Sequence, residues 1–336
     1  MASIKLFGNH RGNPVYIIKL TNGEIEAEII SFGATLRALR VQDYKGKFRD
    51  VCLGYDSIEE YAANDGYLGA SVGRFANRIS NSRFILSEKE IILDPNEGPN
   101  QLHGGPEGFS HRLWSFSCTE NSVCFSLESP DSDQGFPGSL KVSVTYTIEG
   151  KSLLIDYFAV SDADTVVNLT NHTYFNLSGH DSGDIRSHTL RLAAEQYTPC
   201  AHANIPTGDI SSIAGTALDF TDERAVGTAL DALSETDTKG LDHNFVISGI
   251  PGAILYSPES GIEMSCSSSL EGMQVYSAGF LSERIGKYGA KYYPHQGICL
   301  ETQHYPDAVN KPHFPSPILK ADEEYRHWTK FSFSLR

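Results

Sequence analysis

Lys141-Val142-Ser143-Val144-Thr145-Tyr146-Thr147-Ile148 alternates polar and apolar side chains without a break. A period of two puts one set of side chains on each face of an extended chain, so this stretch reads as a β-strand with one buried and one wet face. The same alternation runs through Ser122-Val123-Cys124-Phe125-Ser126-Leu127-Glu128, through Gly23-Glu24-Ile25-Glu26-Ala27-Glu28-Ile29, and through the final Phe331-Ser332-Phe333-Ser334-Leu335. Arg83 to Leu93 reads as a hairpin folded about its charged centre, Ser87-Glu88-Lys89-Glu90. Apolar spacings of three and four are scarce, and the short helix candidates are Ser57 to Asn64 and Asp222 to Ala232. Many short strands, 30 glycines and strand patterns at both ends predict an all-β fold, a large and mostly antiparallel β-sandwich. No internal repeat and no Pro- or Ser-rich linker divides the chain, so residues 1–336 are expected to form one domain.

Strand-poor stretches at about 95–114, 172–186 and 200–240 are then loops on a sheet scaffold, the usual place for function in such a fold. The chain of 336 residues is 40% hydrophobic and 21% charged, which suits a folded globular protein. A formal charge of −15 and a pI near 5.2 argue against a nucleic-acid partner, which would call for Lys and Arg against phosphates. No stretch has the length of a membrane span, the N-terminus shows no apolar signal core, and a cytoplasmic protein is expected. Six scattered cysteines without a CxxC pair read as reduced, buried thiols.

Four polar clusters combine proton-carrying residues with turn or strand sequence. They are Gly73-Arg74-Phe75-Ala76-Asn77-Arg78-Ile79, Asn100-Gln101-Leu102-His103-Gly104-Gly105, Asn168 to Leu177 around His172, and Gly297-Ile298-Cys299-Leu300-Glu301-Thr302-Gln303. A weaker fifth is Gly240-Leu241-Asp242-His243-Asn244-Phe245. Each has a plain structural alternative. His172 can be a satisfied core histidine, Glu301 half of an ion pair, His103 part of a turn, and Arg78 and Asp242 a salt bridge. Glu301 is the hardest to dismiss, because a carboxylate following Ile298-Cys299-Leu300 is costly to bury without partners.

Together the clusters resemble the aldose 1-epimerase (galactose mutarotase) family along nearly the whole chain, from Ser31-Phe32-Gly33-Ala34 and Asp50 to Tyr55 through to Pro306-Asp307-Ala308-Val309-Asn310. The Gly-Arg-x-x-Asn-Arg run, the Leu-His-Gly-Gly loop, the Asn-His-x-Tyr-Phe-Asn-Leu strand and the Leu-Glu-Thr-Gln strand occur in the family's order. That resemblance implies a galactose mutarotase-like supersandwich with a sugar cleft on one sheet. It implies catalytic roles for His172 as general acid and Glu301 as general base. His103 and Arg78 would hold the sugar and help polarise its ring. Asp242 would take sugar hydroxyls, with Asn77 and Gln274 as further sugar contacts. The chain departs from the family at Tyr276-Ser277-Ala278-Gly279-Phe280, where relatives commonly read Tyr-Thr-Gly-Asn-Phe, so the cleft rim is expected to differ.

The residue types suit the implied reaction. Anomer exchange removes a proton from the C1 hydroxyl, delivers one to the ring oxygen, and reverses this after rotation about C1–C2. Histidine, with an ordinary pKa of about 6.5, is a natural acid at the ring oxygen. A free Glu, near about 4.3, is a weak base until burial raises it, while a nearby Arg78 would pull it back. The expected pH profile is a bell, with the acid limb from Glu301 and the alkaline limb from His172. The open-chain intermediate is neutral, so no cofactor and no metal is expected, and the partner is a small-molecule aldose, galactose or glucose, acting on a monomer or homodimer. Phe280, Tyr174 or Trp114 could stack on the sugar. Rival readings are a metal site of His103, His172 and Glu301, a non-catalytic carbohydrate-binding protein, and an epimerase of a pentose, a disaccharide or a sugar phosphate.

Overall fold

The alternating stretch is strand Leu140–Glu149 of the computed structural model, which describes residues 2–63 and 65–336. Leu140, Val142, Val144, Tyr146 and Ile148 all turn into the core. This strand pairs along its whole length with Ser152–Ser161, from Leu140 opposite Ser161 to Glu149 opposite Ser152. The turn is Gly150-Lys151, where Gly150 takes φ +56°, the left-handed value a two-residue hairpin needs. Arg83–Leu86 and Lys89–Ile92 form the expected hairpin, with Ser87 and Glu88 at φ +49° and +65° in the turn.

Three sheets dominate, and every strand pair in them is antiparallel. The first is a meander of Ser3–His10, Asn13–Thr21, Ile25–Ile30, Thr35–Gln42 and Phe48–Asp50. The expected strand from Gly23 begins at Ile25, because the Asn22 carboxamide accepts the backbone N–H groups of Glu24 and Ile25 and closes a turn there. The second is a nine-stranded sheet running from Ser115–Cys118 through Leu140–Glu149 and Ser152–Ser161 to the long C-terminal strand Glu324–Leu335, and on to Arg224–Ala225 at its far edge. The third orders Ser211–Ser212, Ala194–Thr198, Asp242–Ile247, Gly272–Tyr276 and Cys299–Gln303. One cluster of buried side chains reaches from Ile18 to Phe333 and draws on all three sheets.

Helix is confined to short pieces. Ile58–Ala62 is started by a reciprocal capping box, Ser57 accepting from the Glu60 N–H while the Glu60 carboxylate accepts from Ser57 N–H. The expected helix end at Asn64 lies outside the described residues. Val226–Ala232 begins four residues later than the sequence pattern suggested, since Arg224–Ala225 is drawn into the nine-stranded sheet. Among the described residues no helix is long and apolar enough to cross a membrane. All six cysteines are unpaired, but only Cys52, Cys266 and Cys299 are buried. Cys118, Cys124 and Cys200 are half-buried, because their side chains fall on strand faces or a loop at the surface.

His188 is buried in this core, and His243 and His304 are half-buried at its edge. Burial pushes His188, His243 and His304 down to about 4, with His327 beside His304 adding repulsion. His188 accepts the Leu177 N–H at Nε2, a bond that only its neutral ring can make. As pH falls, the unfolded chain binds protons at its ordinary value near about 6.5 before the folded chain does. The stability these rings allow is complete above that value and is lost as pH falls toward 4. Tm, followed by circular dichroism, should therefore drop steeply between pH 6.5 and 4, and a Tm that is level across that window would contradict the neutral rings.

Candidate active site

A cleft of about 220 Å³ opens on the third sheet. Its register brings side chains into cross-strand rows: Asp242 opposite Tyr276 opposite Cys299, and Asn244 opposite Gln274 opposite Glu301. Directly paired residues point to one face, so Asp242, Gln274 and Glu301 converge although they are distant in sequence. His172 arrives from another direction. Its backbone is fixed at both ends, its N–H donating to Ala70 O and its carbonyl accepting from Gly69 N–H, each at 2.9 Å.

His172 Nε2 lies 3.7 Å from Glu301 Oε1, and both residues are buried. On the other edge of the ring, Nδ1 is 3.5 Å from Cys299 Sγ. Two tyrosines lie near-parallel to the ring, Tyr174 at 4.9 Å and Tyr67 at 5.9 Å between centroids. Burial pushes the imidazole down to about 4. Burial also pushes the Glu301 carboxyl well above the usual range, Asp242 pushes it further, and Arg78 pulls it back. Desolvation disfavours charge on both groups, lowering the pKa of His172 and raising that of Glu301.

His103 and Asn77 are built as a unit. His103 Nδ1 accepts the Asn77 N–H at 3.1 Å, while the His103 N–H donates to Asn77 O at 3.0 Å. Both have left-handed backbones, φ +52° and +63°. Gly104 next to them is required: a Cβ there would stand 2.0 Å from Gly73 O, at φ +86°. Because Nδ1 is an acceptor, the neutral His103 ring carries its hydrogen on Nε2 and offers a donor. Burial and the neighbouring His172 and Arg78 keep it neutral, its pKa well below the ordinary histidine value.

Arg78 is not paired with Asp242, as the structural alternative had it, but with Glu97. Its Nε and one terminal nitrogen donate to the two Glu97 oxygens at 2.7 Å each. Asp242 is held instead by Gln274 Nε2 at 2.6 Å and Asn204 Nδ2 at 3.0 Å, and burial raises its pKa above the usual carboxylate value. Glu301 Oε2 and Gln274 Oε1 are buried with no protein partner, on two residues that line the cleft.

All seven expected site residues, Asn77, Arg78, His103, His172, Asp242, Gln274 and Glu301, line this one cleft. Of the aromatic candidates, Tyr174 and Phe280 line it as well, and Phe280 is 48% exposed at the rim. Trp114 does not: it is buried in the core against Phe109, its Nε1 donating to Phe109 O. The rim departure is accommodated locally. Ala278 adopts φ +56°, and a Cβ on Gly279 would meet Lys239 O at 2.4 Å, so the bare glycine lets the 239–240 turn close on the rim. The sequence did not reveal Glu97, Tyr67 or Arg284 as cleft residues. Glu97, three residues before Asn100, was the one with a signal, an acidic side chain at the entry to the His103 loop.

His103, His172 and Glu301 have ligand-type atoms within 4.8 Å of one another, the ingredients of a metal site. The His103 tautomer speaks against it. With Nδ1 accepting a backbone N–H, coordination through Nε2 would require an imidazolate, whereas a metal-bound histidine normally donates its other N–H.

The class is one of sandwich proteins with a polar cleft in which a carboxyl and two imidazoles stand close together, an arrangement able to pass protons. The family profile described as aldose 1-epimerase matches residues 16–332. A galactose mutarotase of Bos taurus is 44% identical over 322 residues, covering 94% of this chain and 93% of that protein. An aldose 1-epimerase of Haemophilus influenzae is 40% identical over 331 residues, 96% of each chain. Among solved structures, an aldose epimerase homologue of C. elegans superposes with a TM-score of 0.88 at 33% identity, over 95% of this chain and 98% of that one. The chain belongs to the aldose 1-epimerase family. It is an isomerase that interconverts the anomers of aldoses.

Proposed function

We propose that the substrate is a free, uncharged hexose, galactose or glucose, and that Glu301 and His172 exchange its protons within a single-domain enzyme of the cytoplasm. The observation that carries the mechanism is the 3.7 Å separation of His172 Nε2 and Glu301 Oε1 across the floor of the cleft. The gap is too long for a direct hydrogen bond, and it leaves each group free to meet a different sugar oxygen. Six unpaired cysteines support a reducing compartment.

The pair is taken to share one proton, held on Glu301, whose pKa burial raises, rather than on His172, whose pKa burial lowers. Moving it from Glu301 to His172 creates a carboxylate base and an imidazolium acid without changing the proton count. Arg78 favours the carboxylate, and the tyrosine faces near His172 favour the imidazolium. The carboxylate takes the C1 hydroxyl proton while the imidazolium protonates the ring oxygen, and the ring opens to the aldehyde. His103 Nε2–H donates to a sugar oxygen and steadies the charge that develops there. After rotation about C1–C2 the same two transfers in reverse close the other anomer. Asp242, Gln274 and Asn77 orient the hydroxyls, and Phe280 at the rim offers an apolar face.

Both cations of the cleft are already matched by carboxylates, Arg78 by Glu97 and Arg284 by Asp65, which favours neutral sugars over sugar phosphates. The test is polarimetry on freshly dissolved α-D-galactose and α-D-glucose with EDTA present. The expected result is faster equilibration of at least one sugar, with a bell-shaped kcat/KM profile. Its acid limb is the entry of a second proton at His172, near 4 in the free enzyme, and its alkaline limb the loss of the single proton from Glu301. A kcat/KM that falls neither on the acid side as pH approaches 4 nor on the alkaline side, or no acceleration of either sugar, would overturn the assignment.

A further inference from the structure

Glu97 is engaged with Arg78 through both oxygens, the bidentate geometry in which guanidinium and carboxylate charges offset most fully. It sits in a loop whose backbone is bridged to Asn100, and its side chain is 35% exposed, so it contributes little to the core. Arg78 is the cation whose field reaches Glu301, Asp242 and His103. The second cleft cation, Arg284, is tied to Asp65 at 2.7 Å and to the Tyr55 hydroxyl at 2.8 Å. Against these two arginines the cleft lining sets Asp65, Glu97, Asp242 and Glu301. The formal balance is therefore acidic, and an anionic ligand entering would meet no unmatched positive charge.

We propose that Glu97 is a specificity-determining residue. By occupying the fork of Arg78 it cancels the cation nearest the proton-transfer pair and confines the cleft to uncharged aldoses, turning away hexuronates, whose ring carries a carboxylate in place of the primary alcohol. This rests on the aldose 1-epimerase reading given above. The device is repulsive: discrimination comes from a charge built against the wrong ligand as well as from contacts to the right one. Like charges in a partly desolvated cleft repel strongly enough to change a rate ratio by ten-fold or more.

The test compares α-D-galactose with α-D-galacturonate at pH 7 and low salt, in wild type, Glu97→Gln and Glu97→Asp, each checked for an unchanged Tm. The expected wild-type enzyme strongly prefers galactose. In Glu97→Gln, which keeps an amide oxygen for Arg78 but loses the charge, the kcat/KM ratio of galactose to galacturonate falls at least ten-fold and the uronate rate rises in absolute terms. Glu97→Asp, which keeps the charge, holds the wild-type ratio, and 0.5 M salt narrows the difference between variants. If Glu97→Gln slows both sugars in parallel and leaves the ratio unchanged, Glu97 is a structural support for Arg78 and the proposal fails. Kd values for the two sugars by calorimetry give the same ratio without turnover. A wild type that binds galactose and rejects galacturonate but does not mutarotate either would count against the catalytic assignment and not against Glu97.

Discussion

Glu301→Gln should lower kcat for anomer exchange by about 10³-fold, roughly 4 kcal/mol of barrier, while KM for galactose changes by less than ten-fold. The substitution is close to isosteric and keeps hydrogen-bonding atoms at the same place, so binding of the sugar survives. What disappears is the ability to take a proton. The wild-type carboxyl is also under strain of charge: it is buried, Asp242 lies near enough to repel it, and Oε2 has no protein partner. Replacing a buried acid by a neutral amide removes that burden, so Tm of the variant should equal or exceed the wild-type value above pH 7. The sign follows from linkage: a carboxyl whose folded pKa is raised binds its proton more tightly when folded, and stability falls as pH climbs past its unfolded value. Stopped-flow polarimetry and calorimetry on the same preparation check both halves. A variant retaining more than a tenth of wild-type kcat would remove Glu301 from the proton path.

How much of this was legible beforehand differs between fold and site for physical reasons. Alternation at Lys141 to Ile148 and at Phe331 to Leu335 survives into the structure because each strand has one face in a common core, and burial writes itself into the sequence at period two. Strand order leaves no such mark. Nothing local to Glu324–Leu335 says that it lies between Ser152–Ser161 and Ile262–Ser268. The seven expected residues lie together in one cleft, but the side chains that hold some of them in place were not read from the motifs. Arg78 is matched by Glu97, whose contact is made across a loop by side-chain geometry alone. Trp114 was open to sugar stacking with core the favoured reading, and it is core, buried among apolar neighbours. That burial raises Glu301 was readable beforehand, but the lowering of His172 to about 4 comes from how deeply its ring is enclosed, a property of the whole fold that no neighbouring residue encodes.

His172→Gln tests the other half of the pair. A glutamine can place an amide near the position of Nε2, so the cleft keeps its shape and its tyrosine walls, yet it cannot carry a proton between sugar and protein. The expected loss in kcat is again about 10³-fold. The informative comparison is with the double variant His172→Gln/Glu301→Gln. If the two residues act independently, the losses multiply to about 10⁶. If they share one proton, as their 3.7 Å separation and opposite displacements in pKa suggest, disabling either already disables the pair. The double variant should then be slower than either single by less than ten-fold, the non-additivity expected of groups that work as a unit. The remaining rate would belong to His103, whose Nε2–H can still donate to a sugar oxygen and whose pKa is held by burial well below the ordinary histidine value. Adding His103→Ala to the double variant should therefore remove what is left above the uncatalysed rate, whereas it would change nothing if His103 served only to hold Asn77 in place.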